Sequence, residues 1–156
     1  MNAFMLFLEV DPLPVGLEFE HAPLHCTLMP WFWTSTSVAD IEQLVRTTSL
    51  KYRPLTLVSD RPALFGPNYD VPVHVLKPDA NLQKLHLELF EMLNALGVRH
   101  SEPRYAGPRY RMHVSTHGDR SFSPGKSTVV QEIYLIRAID EKKLSPKRVV
   151  SKINFG

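Results

Sequence analysis

RYRMHVSTHG, residues Arg109–Gly118, alternates polar and apolar side chains and places His113 and Ser115 on the same side of that alternation. The earlier stretch LHCTLMP repeats the arrangement with His25 and Thr27. Successive side chains of a β-strand point to opposite faces, so residues i and i+2 share one face about 6.6 Å apart. Each stretch therefore predicts a strand with one apolar face for a core and one polar face that carries a histidine and a hydroxyl.

The overall composition is that of an ordinary globular domain. The chain has 156 residues, of which 44% are apolar and 22% charged. This length fits a single domain, 1–156, made of two lobes that share one cleft. Such a chain can bury roughly 70% of its unfolded surface, so it needs no disulfide to fold.

Several features favour a cytoplasmic protein. The single cysteine, Cys26, excludes an internal disulfide and suits a reducing compartment. The apolar stretch near the N-terminus has no basic residue before it, so it predicts a strand and not a signal peptide. No stretch approaches the roughly 20 apolar residues of a membrane span, so we expect no membrane association. Nothing in the sequence indicates an obligatory protein partner.

Positive charge is unevenly distributed. The formal net charge is only +2, which predicts weak overall attraction to nucleic acid. Residues 99–111, however, hold four arginines against one acid, Glu102. A local basic loop suits a phosphate-bearing ligand better than a long duplex, although a merely solvated loop has the same composition.

The pattern of elements predicts an α+β fold. Ser37 and Asp79 are suited to cap two helices, one over about 38–49 and one that carries a leucine stripe and ends at Gly97. The order of elements in the second half mirrors the order in the first, so we expect two lobes around a shared cleft, with two mainly antiparallel sheets and two outer helices. The predicted strands are 4–10, 24–29, 55–59, 63–65, 71–76, 109–116, 129–138 and 148–154.

Two histidine strands that face each other can cleave a phosphodiester. One imidazole can deprotonate an attacking water while the other protonates the leaving oxygen, because the unperturbed pKa of histidine lies near 6.5. The hydroxyls of Thr27 and Ser115 can hydrogen-bond the phosphoryl oxygens, so no metal or other cofactor is needed. With 7 histidines in the chain, roughly one H-x-[ST] match arises by chance, so strand context carries the prediction.

HCTL at 25–28 and HVST at 113–116 resemble the paired motifs of the two-histidine (2H) phosphoesterases, the LigT-like RNA ligase and cyclic phosphodiesterase group. QEIYLIRA at 131–138 resembles that family's closing strand. The resemblance implies a bilobal fold with pseudo-twofold related lobes and with catalytic His25 and His113, each beside a phosphate-binding hydroxyl. Thr116 departs from the family pattern, which usually has an apolar residue there. Family members act without metal on 2′,3′-cyclic phosphates, 2′–5′ linkages, ADP-ribose cyclic phosphate or cyclic oligonucleotides.

Further candidate site residues follow from position and chemistry. Arg109 and Arg111 lie in phase with His113 on the predicted strand, so either could hold a second phosphate. Trp33 and Tyr105 could stack on a base, as could Trp31, whereas Tyr110 is out of phase with His113 and is expected in the core. Three other residues are not assigned to the site. Cys26 is expected to be a buried inert thiol, and His74 and His86 are expected to be structural or exposed.

Three functions remain open from the sequence. The first is a metal-independent phosphodiesterase acting on 2′,3′-cyclic phosphate or 2′–5′ linked nucleotides and RNA ends, with RNA ligation as its reverse. The alternatives are degradation of cyclic oligonucleotides and non-catalytic binding of RNA ends. A zinc site of His25, His113 and His117 lacks the usual ligand spacing, because His117 would lie about 13 Å from His113 on a continued strand.

Overall fold

A computed structural model describes residues 1–156. The chain forms two α-helices, α1 (Val38–Ser49) and α2 (Ala80–Ala95), and a 3₁₀ helix at Gly107–Arg109. The strands are β1 (Asn2–Glu9), β2 (Glu18–Phe19), β3 (His25–Thr34), β4 (Leu55–Phe65), β5 (Val71–Leu76), β6 (Arg99–His100), β7 (His113–Ser115), β8 (Ser127–Val130), β9 (Glu132–Ala138) and β10 (Lys147–Asn154). The α+β class is confirmed. Neither helix is long and apolar enough to cross a membrane.

All ten strands belong to one continuous antiparallel sheet. Its order is β2-β10-β9-β1-β3-β7-β5-β4-β8, with β6 paired to β3. The two sheets expected from the sequence are joined where β3 pairs with β7, with Cys26 opposite Val114. The two histidine strands therefore form the seam between the two halves of the sheet.

The helices begin and end where their capping residues predict. The Ser37 Oγ accepts a hydrogen bond from the Asp40 backbone N–H at the start of α1. The Asp79 carboxylate accepts two backbone N–H groups at the start of α2. Gly97 follows the end of α2 with a φ of 74°, a left-handed conformation that favours glycine.

The main core lies between the helices and one face of the sheet. Leu82, Leu85, Leu89 and Leu93 of α2 are fully buried, whereas the last leucine of the predicted stripe, Leu96, is exposed. The same core contains residues from both histidine strands, Cys26, Leu28 and Val114. Because these residues face the helices, the side chains that alternate with them project from the opposite face of the sheet.

Two prolines, Pro30 and Pro62, fall outside the predicted strands 24–29, 55–59 and 63–65 but lie inside strands of the structure. Strand β3 continues through Pro30, since Leu6 pairs with Met29 and Phe4 pairs with Phe32. A β-bulge there sets Pro30 and Trp31 of β3 opposite the single residue Met5 of β1. A bulged position need not donate a ladder hydrogen bond, so a proline, which has no N–H, is tolerated. Strand β4 likewise runs through Pro62 as one element, beyond the part that pairs with β8.

Two predicted strands are shorter or divided. Strand β7 contains only His113–Ser115, because the 3₁₀ turn at Gly107–Arg109 replaces the start of the predicted 109–116 strand. The predicted 129–138 strand is split at Gln131, where the chain leaves β4 and crosses to pair with β1 in the other half of the sheet.

Candidate active site

The β3–β7 seam places the two predicted motifs side by side on the face that is free of helices. The antiparallel register that pairs Cys26 with Val114 puts His25 opposite Ser115 and Thr27 opposite His113. Directly opposed side chains on one face have Cβ atoms about 4.5–5.5 Å apart, and diagonal neighbours are about 7–8 Å apart. The two imidazoles are therefore diagonal neighbours, each directly opposite a hydroxyl. This spacing leaves room for one small anion between them.

The two imidazoles are held in the same way. His25 Nδ1 lies 2.8 Å from the carbonyl oxygen of Pro23, and His113 Nδ1 lies 2.8 Å from the carbonyl oxygen of Arg111. In both cases the carbonyl belongs to the residue two positions earlier. A carbonyl oxygen only accepts, so each Nδ1 carries the hydrogen and donates it. The Nε2 of each ring is therefore left to accept or release a proton.

Burial keeps both imidazoles neutral. Burial, with smaller contributions from the nearby His117 and His113, lowers the pKa of His25 to about 4. The Phe7 ring, whose centroid is 4.4 Å from that of His25, supplies part of this apolar environment. Burial also lowers the pKa of His113, whose ring meets the edge of Phe65 at 4.7 Å. Near pH 7 either ring can accept a proton, and a bound anion would favour the protonated form.

A cleft of about 410 Å³ opens beside this pair of motifs. His113 and Thr27 lie on its wall. The Arg111 guanidinium also lines it and stacks 4.5 Å from the centroid of Phe65. The other aromatic residues of the cleft are Trp31, Tyr105 and Tyr110. The cleft thus joins a proton-transfer site, one cation and several ring surfaces.

No protein-family model and no curated protein sequence matches the chain. Solved structures do match. A phosphoesterase crystal structure aligns with a TM-score of 0.64 and 15% identity over 99% of both chains. E. coli LigT complexed with 3′-AMP aligns with a TM-score of 0.60 and 15% identity over 99% of this chain and 98% of LigT. A Thermus thermophilus protein, TT0787, aligns with a TM-score of 0.59 and 16% identity over 99% of this chain and 98% of its own.

The chain has the LigT-like fold. At these identities the agreement is one of fold, and it confirms at that level the resemblance carried by the two histidine motifs. The LigT-like fold also explains why motifs far apart in the sequence meet, because each half of the sheet contributes one histidine strand to the seam.

Four of the predicted site residues do not line the cleft: His25 and Ser115 of the seam, and the substrate-binding candidates Arg109 and Trp33. Arg109 belongs to the 3₁₀ helix and lines a separate depression, because that turn breaks the alternation on which its prediction depended. Trp33 lies beyond the cleft on β3, where its Nε1 donates a 3.0 Å hydrogen bond to the Glu141 carbonyl oxygen. Its ring is covered by the Arg99 guanidinium at 4.5 Å. Of the predicted stacking residues, Trp31 and Tyr105 do line the cleft.

His117 lies closer to the site than the sequence indicated. Its ring is nearly parallel to that of His25, with the centroids 6.5 Å apart. Reciprocal backbone hydrogen bonds between His117 and Arg120 close the turn, and Gly118 within it has a φ of 64°. Arg120 in turn forms an ion pair with Asp11. Gly118 was the signal that the strand ends there. No three His, Cys, Asp or Glu side chains are grouped so as to hold a metal ion.

This proximity predicts an electrostatic effect of His117 on His25. The His117→Ala variant is expected to raise the pKa of His25, because it removes a group that disfavours the protonated imidazole. NMR titration of the histidine ring protons measures this directly. His21→Ala, which changes an exposed histidine that makes no ring contact, is the matched control. An unchanged His25 titration in His117→Ala would show that His117 has no electrostatic effect on His25.

A buried network supports the strand that carries the first motif. The Tyr110 hydroxyl donates a 2.7 Å hydrogen bond to the Thr27 carbonyl oxygen, and its ring stacks on His86 with centroids 3.9 Å apart. The Gly107 N–H donates to His86 Nε2 at 2.8 Å, so the hydrogen of the neutral ring is on Nδ1. His86 Nδ1 donates that hydrogen to the Leu28 carbonyl oxygen at 2.7 Å. His86 is fully buried, so it has the structural role that was one of its two predicted outcomes.

Cys26 is buried within the core and packs near this network. Its Sγ lies 3.7 Å from the Tyr110 hydroxyl oxygen. Burial raises the pKa of the thiol to about 11, so it stays protonated near neutral pH. The prediction of a buried thiol is confirmed.

Proposed function

We propose that the chain is a metal-independent phosphodiesterase that hydrolyses 2′,3′-cyclic phosphates of nucleotides and RNA ends, with 2′–5′ linkages as related substrates. One observation carries the proposal. His25 and His113 are diagonal neighbours across the seam, and each has its Nδ1 fixed on a carbonyl and its Nε2 available. Hydrolysis of a phosphodiester requires a base on one side of the phosphorus and an acid on the other. Two imidazoles held in the same way can supply both groups.

The proposed reaction begins with one imidazole neutral and the other protonated. The neutral Nε2 takes a proton from water as the water oxygen forms a bond to phosphorus. The bond from phosphorus to one ribose oxygen breaks on the opposite side, and the protonated imidazole gives its proton to that oxygen. The product is a phosphomonoester, and the two rings have exchanged protonation states. Solvent restores the starting states. With the 5′-hydroxyl of a second RNA in place of water, the same forward steps open the cyclic phosphate and join two RNA ends through a phosphodiester.

The hydroxyls of Thr27 and Ser115 are proposed to stabilise the charge on the phosphoryl oxygens. Each hydroxyl lies opposite the histidine of the other motif, so both flank the position between the imidazoles. Donors that are already in place need little reorganisation as negative charge develops, and one such donor is typically worth about 10²–10³ in rate.

The cleft supports a nucleotide as substrate. Trp31 and the half-exposed Tyr105 offer ring surfaces for a base, and Arg111 offers a cation beside His113. LigT, which has the same fold, has been crystallised with 3′-AMP. The single cysteine is a buried thiol, which suits the proposed location in a reducing cytoplasm.

Hydrolysis of 2′,3′-cyclic mononucleotides in the presence of EDTA tests the proposal. Phosphorus NMR distinguishes the cyclic substrate from the 2′- and 3′-phosphate products. We expect turnover that EDTA does not change, and no turnover in the His25→Ala/His113→Ala variant, which controls for contaminating nucleases. Binding without turnover would instead support a protein that holds RNA ends. Turnover restricted to cyclic oligonucleotides would support the signal-degrading alternative, and inactivation by EDTA would contradict the metal-independent mechanism.

A further inference from the structure

A second depression, of about 380 Å³, lies beside the cleft. It is lined by two arginines, one aromatic ring and small or rigid residues: Phe90, Pro103, Arg104, Ala106, Pro108 and Arg109. The segment 101–109 separates the cleft from the depression, since its residues Ser101, Glu102 and Tyr105 line the cleft and others line the depression. The wall between them is therefore a single segment of chain. Different residues of this segment face the cleft and the depression, so the two sites lie on either side of it.

The two arginines of the depression are not neutralised by the protein. Neither Arg104 nor Arg109 lies within 4.0 Å of a carboxylate oxygen, and both are exposed. The other two arginines of this basic stretch stack on rings, Arg99 on Trp33 and Arg111 on Phe65. The only acid of the stretch, Glu102, lines the cleft and not the depression. Two free guanidinium groups beside an aromatic wall suit a phosphodiester with its attached nucleoside.

The depression is preorganised by its backbone. Gly107 has a φ of 74°, and a Cβ there would lie 2.8 Å from the Phe90 ring, so only glycine allows the loop to pack this closely. The Gly107 N–H is held by buried His86, and Tyr105 N–H bonds the Glu102 carbonyl oxygen at 3.0 Å. A loop fixed on a buried side chain loses little conformational freedom when a ligand binds.

We propose that Arg104 and Arg109 form a subsite for the phosphodiester of the nucleotide next to the reacting one. The preferred substrate is then an oligonucleotide end of at least two nucleotides and not a mononucleotide. This inference rests on the proposed function for its reacting end. The subsite itself is a matter of binding and can be tested without turnover.

Equilibrium binding separates the subsite from the reaction. The first probe is a fluorescein-labelled RNA tetranucleotide with a 3′-phosphate, whose binding is measured by fluorescence anisotropy. The second probe is 3′-AMP, whose affinity is measured by its competition with the tetranucleotide. In Arg104→Ala/Arg109→Ala we expect the affinity for the tetranucleotide relative to 3′-AMP to fall about 10-fold, since both guanidinium contacts to that phosphodiester are lost. The slope of log affinity against log salt should decrease by about 0.7, the value for one neutralised phosphate of a single strand.

The matched control removes the same charge elsewhere. Arg53→Ala/Lys84→Ala replaces two exposed cations that form no ion pair, one between α1 and β4 and one on α2. This control should leave the affinity ratio unchanged. An equal fall in the control, an unchanged ratio in Arg104→Ala/Arg109→Ala, or a wild-type protein that binds both probes equally well would overturn the subsite. Arginine-dependent binding in a protein without turnover would support the subsite while refuting the proposed function.

Discussion

Replacing either His25 or His113 by alanine is expected to lower kcat on a 2′,3′-cyclic nucleotide by roughly 10²–10⁴-fold, the range typical of one general acid or base. KM should change much less, because in the proposed mechanism the imidazoles transfer protons in the transition state and other residues of the cleft bind the nucleoside. The similar attachment of both rings through Nδ1 predicts losses of similar size. Steady-state kinetics with purified variants measures both parameters.

The double variant distinguishes a concerted pair from two independent contributors. If both histidines serve one step, His25→Ala/His113→Ala should be little slower than the worse single variant, because groups that act as a unit are strongly non-additive. His21→Ala is the control, since His21 is an exposed histidine that does not line the cleft. Full activity in either single variant would refute the assignment of acid and base to this pair.

The elements that were predicted correctly are those whose signals are local. Helix α1 follows from Ser37 and the apolar spacing behind it, and the histidine faces follow from strict alternation along β3 and β7. Both kinds of signal depend only on residues a few positions apart. Local patterns, together with the family resemblance, were therefore enough to predict that the two strands meet, each with a histidine and a hydroxyl on one face. The register that sets each histidine opposite the hydroxyl of the other strand was not predicted.

The wrong predictions depend on contacts that a local pattern does not contain. Pro30 does not end β3, because a bulge against β1 accommodates it. Arg109 and Trp33 lie outside the cleft, the first because a 3₁₀ turn interrupts the alternation and the second because Arg99 covers its ring. His117 lies beside His25 only because a tight turn reverses the chain. Each outcome is decided by the neighbouring element in three dimensions.

The buried histidine of α2 should have a large effect on stability. His86→Ala is expected to lower the free energy of unfolding by about 3–5 kcal/mol, as for large-to-small changes in a core. The variant leaves a cavity beside Tyr110 and removes the partners of the Gly107 N–H and the Leu28 carbonyl. Urea unfolding of purified protein measures the change. His21→Ala, an exposed histidine, should change it by less than about 0.5 kcal/mol.

The pH dependence of that loss tests the neutral state of the His86 ring. Burial lowers the pKa of His86 to about 4, whereas the unfolded chain has an ordinary value near 6.5. Between these values the unfolded state binds a proton that the folded state does not, so the wild-type protein loses stability as the pH falls through this window. His25 contributes with the same sign. The difference in unfolding free energy between wild type and His86→Ala should therefore shrink as the pH falls from about 6.5 towards about 4. A constant difference would mean that the folded protein binds the proton as readily as the unfolded chain, which is incompatible with Gly107 donating to His86 Nε2.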